Sequence, residues 1–298
     1  MVAQHRNKTG ATTPPTSPDQ SSGIELILGV SREEYGQIPS GLEKLLTDVE
    51  DLYAGRWPSH EACEVEYHDF VHALDVALAA ARIVAGWNRV HPERRIDEEL
   101  YCWTVAAGLF HDAGYIKDKG DREGQGGKFT ITHVQRSMNI AEGYLRRTNW
   151  PQRATIFVPA VIALTDYRQQ SLNYAVFINE QELLAARILP TADLIGQIGD
   201  SRYAEKIDGL FAELQEMYFH LNRDKPAPAQ PVPVYNSAQE LRNTTEDFYE
   251  NFVAPRLAEF GHLEQYLDVY FGHNRNPYRE NIACNLARHC NPRLADQS

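Results

Sequence analysis

The chain has 298 residues, 43% hydrophobic and 23% charged, with a formal net charge of −12 at pH 7. That is globular composition with enough apolar side chains to bury a core. The acidic balance excludes a broad electrostatic footprint for polymeric nucleic acid or an anionic membrane, and points to small molecules or proteins as partners. A small anion is still admissible where a metal supplies local positive charge, and homo-oligomerisation stays open. Cys63, Cys102, Cys284 and Cys290 are widely spaced, with no CxxC pair and no secretory segment, so they read as reduced thiols of a cytoplasmic protein.

Residues 1–23 are rich in Pro, Ser and Thr and read as a disordered tail. A main domain is expected over 40–222. Helical spacing of apolar residues predicts helices over Gly41 to Leu52, Val65 to Trp87 and Asp97 to His111. Gly114 follows as a stop, and Lys117 to Lys128, with mixed charge and several glycines, reads as a solvent loop. Thr132 is a candidate N-cap for a helix to Arg146, which Asn149-Trp150-Pro151 ends. Further helices are expected over Pro151 to Leu164, Asn179 to Ile198 and Tyr203 to Leu221. Alternation with period 2 is confined to a weak run, Tyr174 to Ile178. The expected fold is therefore all-α, a helical bundle. A Pro-rich linker over 223–237 leads to a helical C-terminal extension, 238–298, with helical patterns at Ala238 to Phe260 and Asn276 to Arg288. The apolar runs Ala77 to Val84 and Ile156 to Leu164 are too short or too interrupted to cross a bilayer, so no membrane partner is expected.

Chemistry concentrates in three places. In Tyr67 to Val76, His68 and His72 are four apart, which on a helix puts them on one face, one turn apart. His111-Asp112 ends a strongly apolar helix, where two polar groups are costly to bury without partners; a divalent ion is one partner that satisfies both. Asp193 is a lone carboxylate within Ile188 to Ile195, an apolar helical run, and a buried acid needs a cation or several donors. Taken singly, each has a plainer account: polar surface histidines, a hydrogen-bonded helix end, and a cap or core acceptor.

In this order the three pieces resemble the HD superfamily of metal-dependent phosphohydrolases, and the resemblance spans about Tyr67 to Leu221. Tyr67 to Val76 is also similar to the YHNxxHAxDV signature of cyclic-nucleotide phosphodiesterases, with Asp69 standing where that family has asparagine. The resemblance implies an all-helical HD domain with His72, His111, Asp112 and Asp193 as ligands of a divalent metal (Mg, Mn, Fe or Zn). His68 would be the proton donor to the leaving group. His133, in Thr132-His-Val-Gln-Arg-Ser137, resembles the HExxSA helix start of bacterial HD proteins, with Val134 in place of the acid, and so implies a ligand for a second metal; Asp166 is a candidate oxygen ligand beside it. The implied substrate is a small phosphorylated molecule, a nucleotide or cyclic nucleotide. The alternatives are a nucleotide phosphomonoesterase, a di-iron oxygenase and a non-catalytic metal-binding regulatory module.

Other features carry less. Gly124 to Phe129 is glycine-rich but lacks the P-loop spacing. Lys117, Lys119 and Lys128 read as a solvated charged loop before they read as phosphate-binding groups. Arg202 reads as a surface salt bridge before a phosphate contact. Phe248, Tyr249, Phe252, Tyr266, Tyr270 and Phe271 read as packing.

Overall fold

A computed structural model describes residues 18–168, 174–226, 232–272 and 275–290. The expected linker falls partly on 227–231, and most of the expected tail on 1–17, both outside the described residues. Among those described there is no strand; backbone pairing outside helices is limited to bridges such as His60 with Asp118. The fold is all-α.

The order of the main helices is α1 (Pro18–Tyr35), α2 (Leu42–Tyr53), α3 (Phe70–Val90), α4 (Glu98–Phe110), α5 (His133–Arg147), α6 (Ala154–Ile162), α7 (Glu180–Ile198) and α8 (Tyr203–Asn222). The C-terminal part adds α9 (Ala238–Asn243), α10 (Thr245–Phe248), α11 (Ala254–Glu259), α12 (Gln265–Phe271) and α13 (Pro277–Cys290). α3 is the axis around which α1, α4, α7 and α12 pack. Its run of alanines, Ala77, Ala79, Ala80, Ala81 and Ala85, is buried all round, because small side chains let several helices approach one rod. By length and composition α3 is also long and apolar enough to span a membrane, but 83% of that window is buried inside the protein. It is the core helix.

Three expectations need correction. α1 begins at Pro18, inside the stretch expected as tail, and buries Ile27, Leu28 and Val30 against α3; the Ser- and Gly-containing start masked its apolar face. α3 begins at Phe70 rather than near Val65, because Asp69 adopts an extended conformation and caps it. The weak Tyr174 to Ile178 run, in keeping with the all-α expectation, holds a single tight helical turn, Tyr174–Val176. Ala238 to Phe260 is not one helix: a wider turn, Tyr249–Val253, precedes Pro255, whose missing N–H cannot bond back to the preceding turn.

The C-terminal extension is not peripheral. Val253, Leu257, Phe260, Leu263 and Leu267 are buried in the same core as α3. Gly86 on α3 lets α12 in, since a Cβ there would sit 2.0 Å from the Tyr266 carbonyl oxygen.

Candidate functional site

Three helix ends and one helix interior bring the polar groups together. At the start of α3, the Asp69 carboxylate accepts from the His72 backbone N–H at 2.9 Å, which places His72 in the first turn and His68 before it. His68 is therefore not on the helix, contrary to the expected shared face. The two rings still meet, 5.7 Å apart and nearly perpendicular, because the cap folds the preceding residues back over the helix end. At the other end of α4, His111 is the last cap residue and Asp112 turns the chain into Ala113–Tyr115. Asp193 comes from the middle of α7, and His133 opens α5.

His72, His111 and Asp112, all buried, each offer a ligand atom within 4.8 Å of the others, and this group can hold a metal ion. His111 Nε2 lies 2.9 Å from Asp112 Oδ2, and His72 Nε2 lies 3.4 Å from the same oxygen. Asp193 Oδ1 faces both imidazoles, 3.7 Å from His72 Nε2 and 3.6 Å from His111 Nε2. On the other side of Asp112, its Oδ1 lies 3.5 Å from His133 Nε2, while His68 Nε2 is 4.0 Å from Oδ2. The structure thus gathers four histidines, His68, His72, His111 and His133, within 4.0 Å of the Asp112 carboxylate, with Asp193 facing two of them.

The fit to a cation rests on one orphaned atom. His111 Nδ1 is paired with the Gly108 carbonyl at 2.7 Å, and a carbonyl can only accept, so Nδ1 carries the proton. In the neutral ring that leaves a bare lone pair on Nε2. Nε2 is buried and makes no hydrogen bond despite its nearness to Asp112. A lone pair facing a carboxylate oxygen is repulsive unless a proton or a metal ion lies between them. His133 repeats the arrangement, with Nδ1 paired to the Thr130 carbonyl at 2.8 Å.

Titration follows the same logic. Burial alone would lower His72, but the Asp112 and Asp193 carboxylates beside its ring outweigh it and push its pKa to about 9. His111 is likewise raised well above the usual imidazole value: burial opposes this, but the neighbouring Asp112 and Asp193 carboxylates prevail. Burial works to raise Asp112, yet the His111 and His68 charges hold it well below the usual carboxylate range. His133 goes the other way, lowered first by burial, and stays a neutral donor.

Sequence reasoning missed three participants. Glu213 of α8 is buried, and its Oε2 lies 2.5 Å from His68 Nδ1, while its Oε1 accepts from the backbone N–H groups of Tyr67 at 2.8 Å and His68 at 3.2 Å. The available signal was a carboxylate one turn before Met217, on the buried side of α8 that also holds Ile207. Tyr115 is stacked between His68 (4.4 Å) and His133 (4.5 Å). The Tyr167 hydroxyl lies 3.2 Å from both Asp193 Oδ2 and the Pro190 carbonyl; nothing in its local sequence marks it.

The remaining candidates lie elsewhere. Both Asp166 oxygens accept from Arg168, at 2.8 and 3.0 Å. Lys117 is buried between Glu64 and the Gly124 carbonyl, and Lys128 pairs with Asp121, so neither is a solvated loop lysine; Lys119 is exposed beside Glu61. The glycine-rich run gives its Gln125 and Gly126 N–H groups to Glu216 of α8, an internal carboxylate rather than a phosphate. Arg202 is exposed in a cleft with Glu66, Glu205 and Lys206. The C-terminal aromatics pack on the core. A cavity of about 520 Å³ at the start of α4, around Cys102 and Trp103, shares no lining residue with the histidine–aspartate group.

A search among curated proteins finds no match to this sequence. A protein-family comparison does: residues 26–269 match the Npun_R2479-like family, a span that takes in α2 to α11 and every histidine and acid of the site, and the chain belongs to that family.

Proposed function

We propose that the protein is a cytoplasmic, metal-dependent phosphohydrolase of the HD type, cleaving a phosphoester of a nucleotide or cyclic nucleotide. The observation that carries this is the buried His72–His111–Asp112 group with its orphaned His111 Nε2, joined by Asp193 across the opening. These four would hold a divalent metal, Mg, Mn, Fe or Zn, since imidazole and carboxylate together suit each of them. When bound, such an ion supplies Lewis acidity at the phosphoryl oxygen and a water of lowered pKa.

The chain's own residues account for the rest. Glu213 fixes the His68 ring through Nδ1, so that Nε2 faces the Asp112 side of the site. Burial lowers the His68 pKa, but the charges of Glu213 and Asp112 more than reverse this and raise it. That shift favours the protonated ring, from which His68 can deliver a proton to the departing ester oxygen as the P–O bond breaks. Tyr115 between His68 and His133 keeps both rings from turning. Asp112, with one oxygen toward His72 and His111 and the other toward His133, suits a second metal on the His133 side. The unpaired thiols of Cys63 and Cys102 agree with a reducing compartment.

The test is metal analysis of the purified protein followed by a panel of mono-, di- and cyclic nucleotides with Mg, Mn and other divalent ions. Phosphoester cleavage that needs His72, and that falls about 100-fold or more in His68→Ala with metal content retained, is the expected result. Glu213→Gln should behave as a weaker form of His68→Ala. Failure to bind any divalent ion would overturn the proposal. Bound iron with oxygen uptake and no phosphate release would favour the oxygenase alternative.

A further inference from the structure

The cavity of about 520 Å³ at the start of α4 is large enough for a small molecule. Trp103, Trp150, Glu98, Glu99, Pro39 and Pro151 line it, and among the described residues no lysine, arginine or histidine does. The arginines that flank it in sequence are engaged elsewhere. Arg94 pairs with Glu180 at 3.0 Å, Arg95 with Glu34 at 2.9 Å, Arg146 with Glu142 at 2.6 Å and Arg153 with Glu182, while Arg147 lies over Trp57. Glu98 accepts from a neutral donor, the Gln37 amide, at 3.0 Å. Neither Glu98 nor Glu99 has an ion-pair partner among the described residues, so the cavity carries two formal negative charges.

Acids in a first turn suit a helix start without any ligand; the tryptophans are what mark a site. Of the four in the chain, Trp57 and Trp87 are satisfied internally. Their indole N–H groups donate to backbone carbonyls at 2.8 and 3.1 Å, and each ring has a guanidinium over it, Arg147 at 5.6 Å and Arg94 at 5.7 Å. Trp103 and Trp150 have neither kind of partner among the described residues. Trp103 is only 6% exposed, and an indole N–H so far from bulk water ordinarily finds an acceptor. A ligand that brings positive charge to the carboxylates and rings, and an oxygen to the indole N–H, satisfies all these groups at once.

We infer that this cavity binds an organic ammonium cation of the choline type, with an alkylated nitrogen and a nearby oxygen. Alkyl groups on nitrogen suit tryptophan and proline walls, Glu98 and Glu99 supply the counter-charge, and the oxygen accepts from an indole N–H. The site is separate from the metal group, since His111 follows Trp103 by a rise of about 12 Å along α4. The inference therefore stands or falls independently of the phosphohydrolase proposal.

The experiment is ligand-observed NMR titration of the full-length protein with choline and with 3,3-dimethylbutan-1-ol, which has the same shape without the charge. Choline is expected to bind about tenfold or more tightly than the alcohol, the scale of a desolvated cation on an aromatic wall. Glu99→Gln, at an exposed position, should weaken choline about threefold or more and leave the alcohol unchanged. Trp150→Leu, at a half-buried one, should weaken choline by a similar factor, with thermal melts confirming that both variants fold. Equal affinity for the two compounds, no saturable binding of choline, or choline affinity unchanged in both variants overturns the site. Choline binding that is displaced by Mn²⁺ or lost in His72→Ala would place the cation at the histidine–aspartate group and likewise overturn it.

Discussion

When no divalent ion is bound, the charges of Asp112 and Asp193 are balanced by protons on the neighbouring imidazoles, and this exchange of proton for metal is measurable. His72, pushed up to about 9 from an unfolded value near 6.5, contributes stability that is full below about pH 6.5 and lost as pH rises through about 9. The chelated protein should therefore lose thermal stability between those limits, whereas the metal-loaded protein should not. Metal uptake at pH 7 should release protons, seen as a dependence of calorimetric heat on buffer ionisation enthalpy. The same melting curve against pH for both forms would refute a shared metal and proton site. At this scale much of the site was legible: His72, His111, Asp112 and Asp193 stood out as polar groups in apolar helical surroundings. Glu213 was not, since its carboxylate becomes meaningful only when α8 lies against Tyr67 and His68.

At the scale of helices, the site depends on how each element begins and ends. Asp69 caps α3 and so separates His68 from His72; Asp97 and Asn179 cap α4 and α7 in the same way. Asp69→Ala should cost about 1 kcal/mol in a denaturant titration, the usual scale of a lost N-cap, and weaken metal binding by loosening His72. Asp69→Asn, which retains a capping oxygen, should do neither, and equal losses in both variants would show that the aspartate charge rather than the cap matters. Gly114 plays a comparable part for α5. A Cβ there would come within 2.0 Å of the His133 carbonyl oxygen, so only glycine lets the helix that carries His133 close over Asp112. Helix periodicity located α2, α4, α7 and α8 well, because their apolar stripes and caps are local. It overran the start of α3, because Val65 and Tyr67 extend the apolar pattern while the Asp69 cap that interrupts it is a matter of backbone geometry.

For the whole molecule, α3 is a helix that several others share, and the C-terminal helices are part of its cover. Fully burying side chains such as Val253, Leu257, Phe260, Leu263 and Leu267 is worth about 1.5–3 kcal/mol each, together comparable with the 5–15 kcal/mol that typically holds a domain folded. A chain truncated after residue 237 should therefore fail to show a cooperative thermal transition, and a native-like melt from such a fragment would mean the extension is only appended. The amino-acid sequence by itself determined the all-helical class, the main helices and the residues able to bind a metal, because periodicity, caps and buried polar groups are properties of short stretches. Only the tertiary structure decided that α1 and the C-terminal part complete the core. It alone stacked Tyr115 between His68 and His133 and set Glu213 against the His68 ring. Those relations join residues far apart in the chain, and packing fixes them through close approaches, such as α12 against Gly86, that no local pattern encodes.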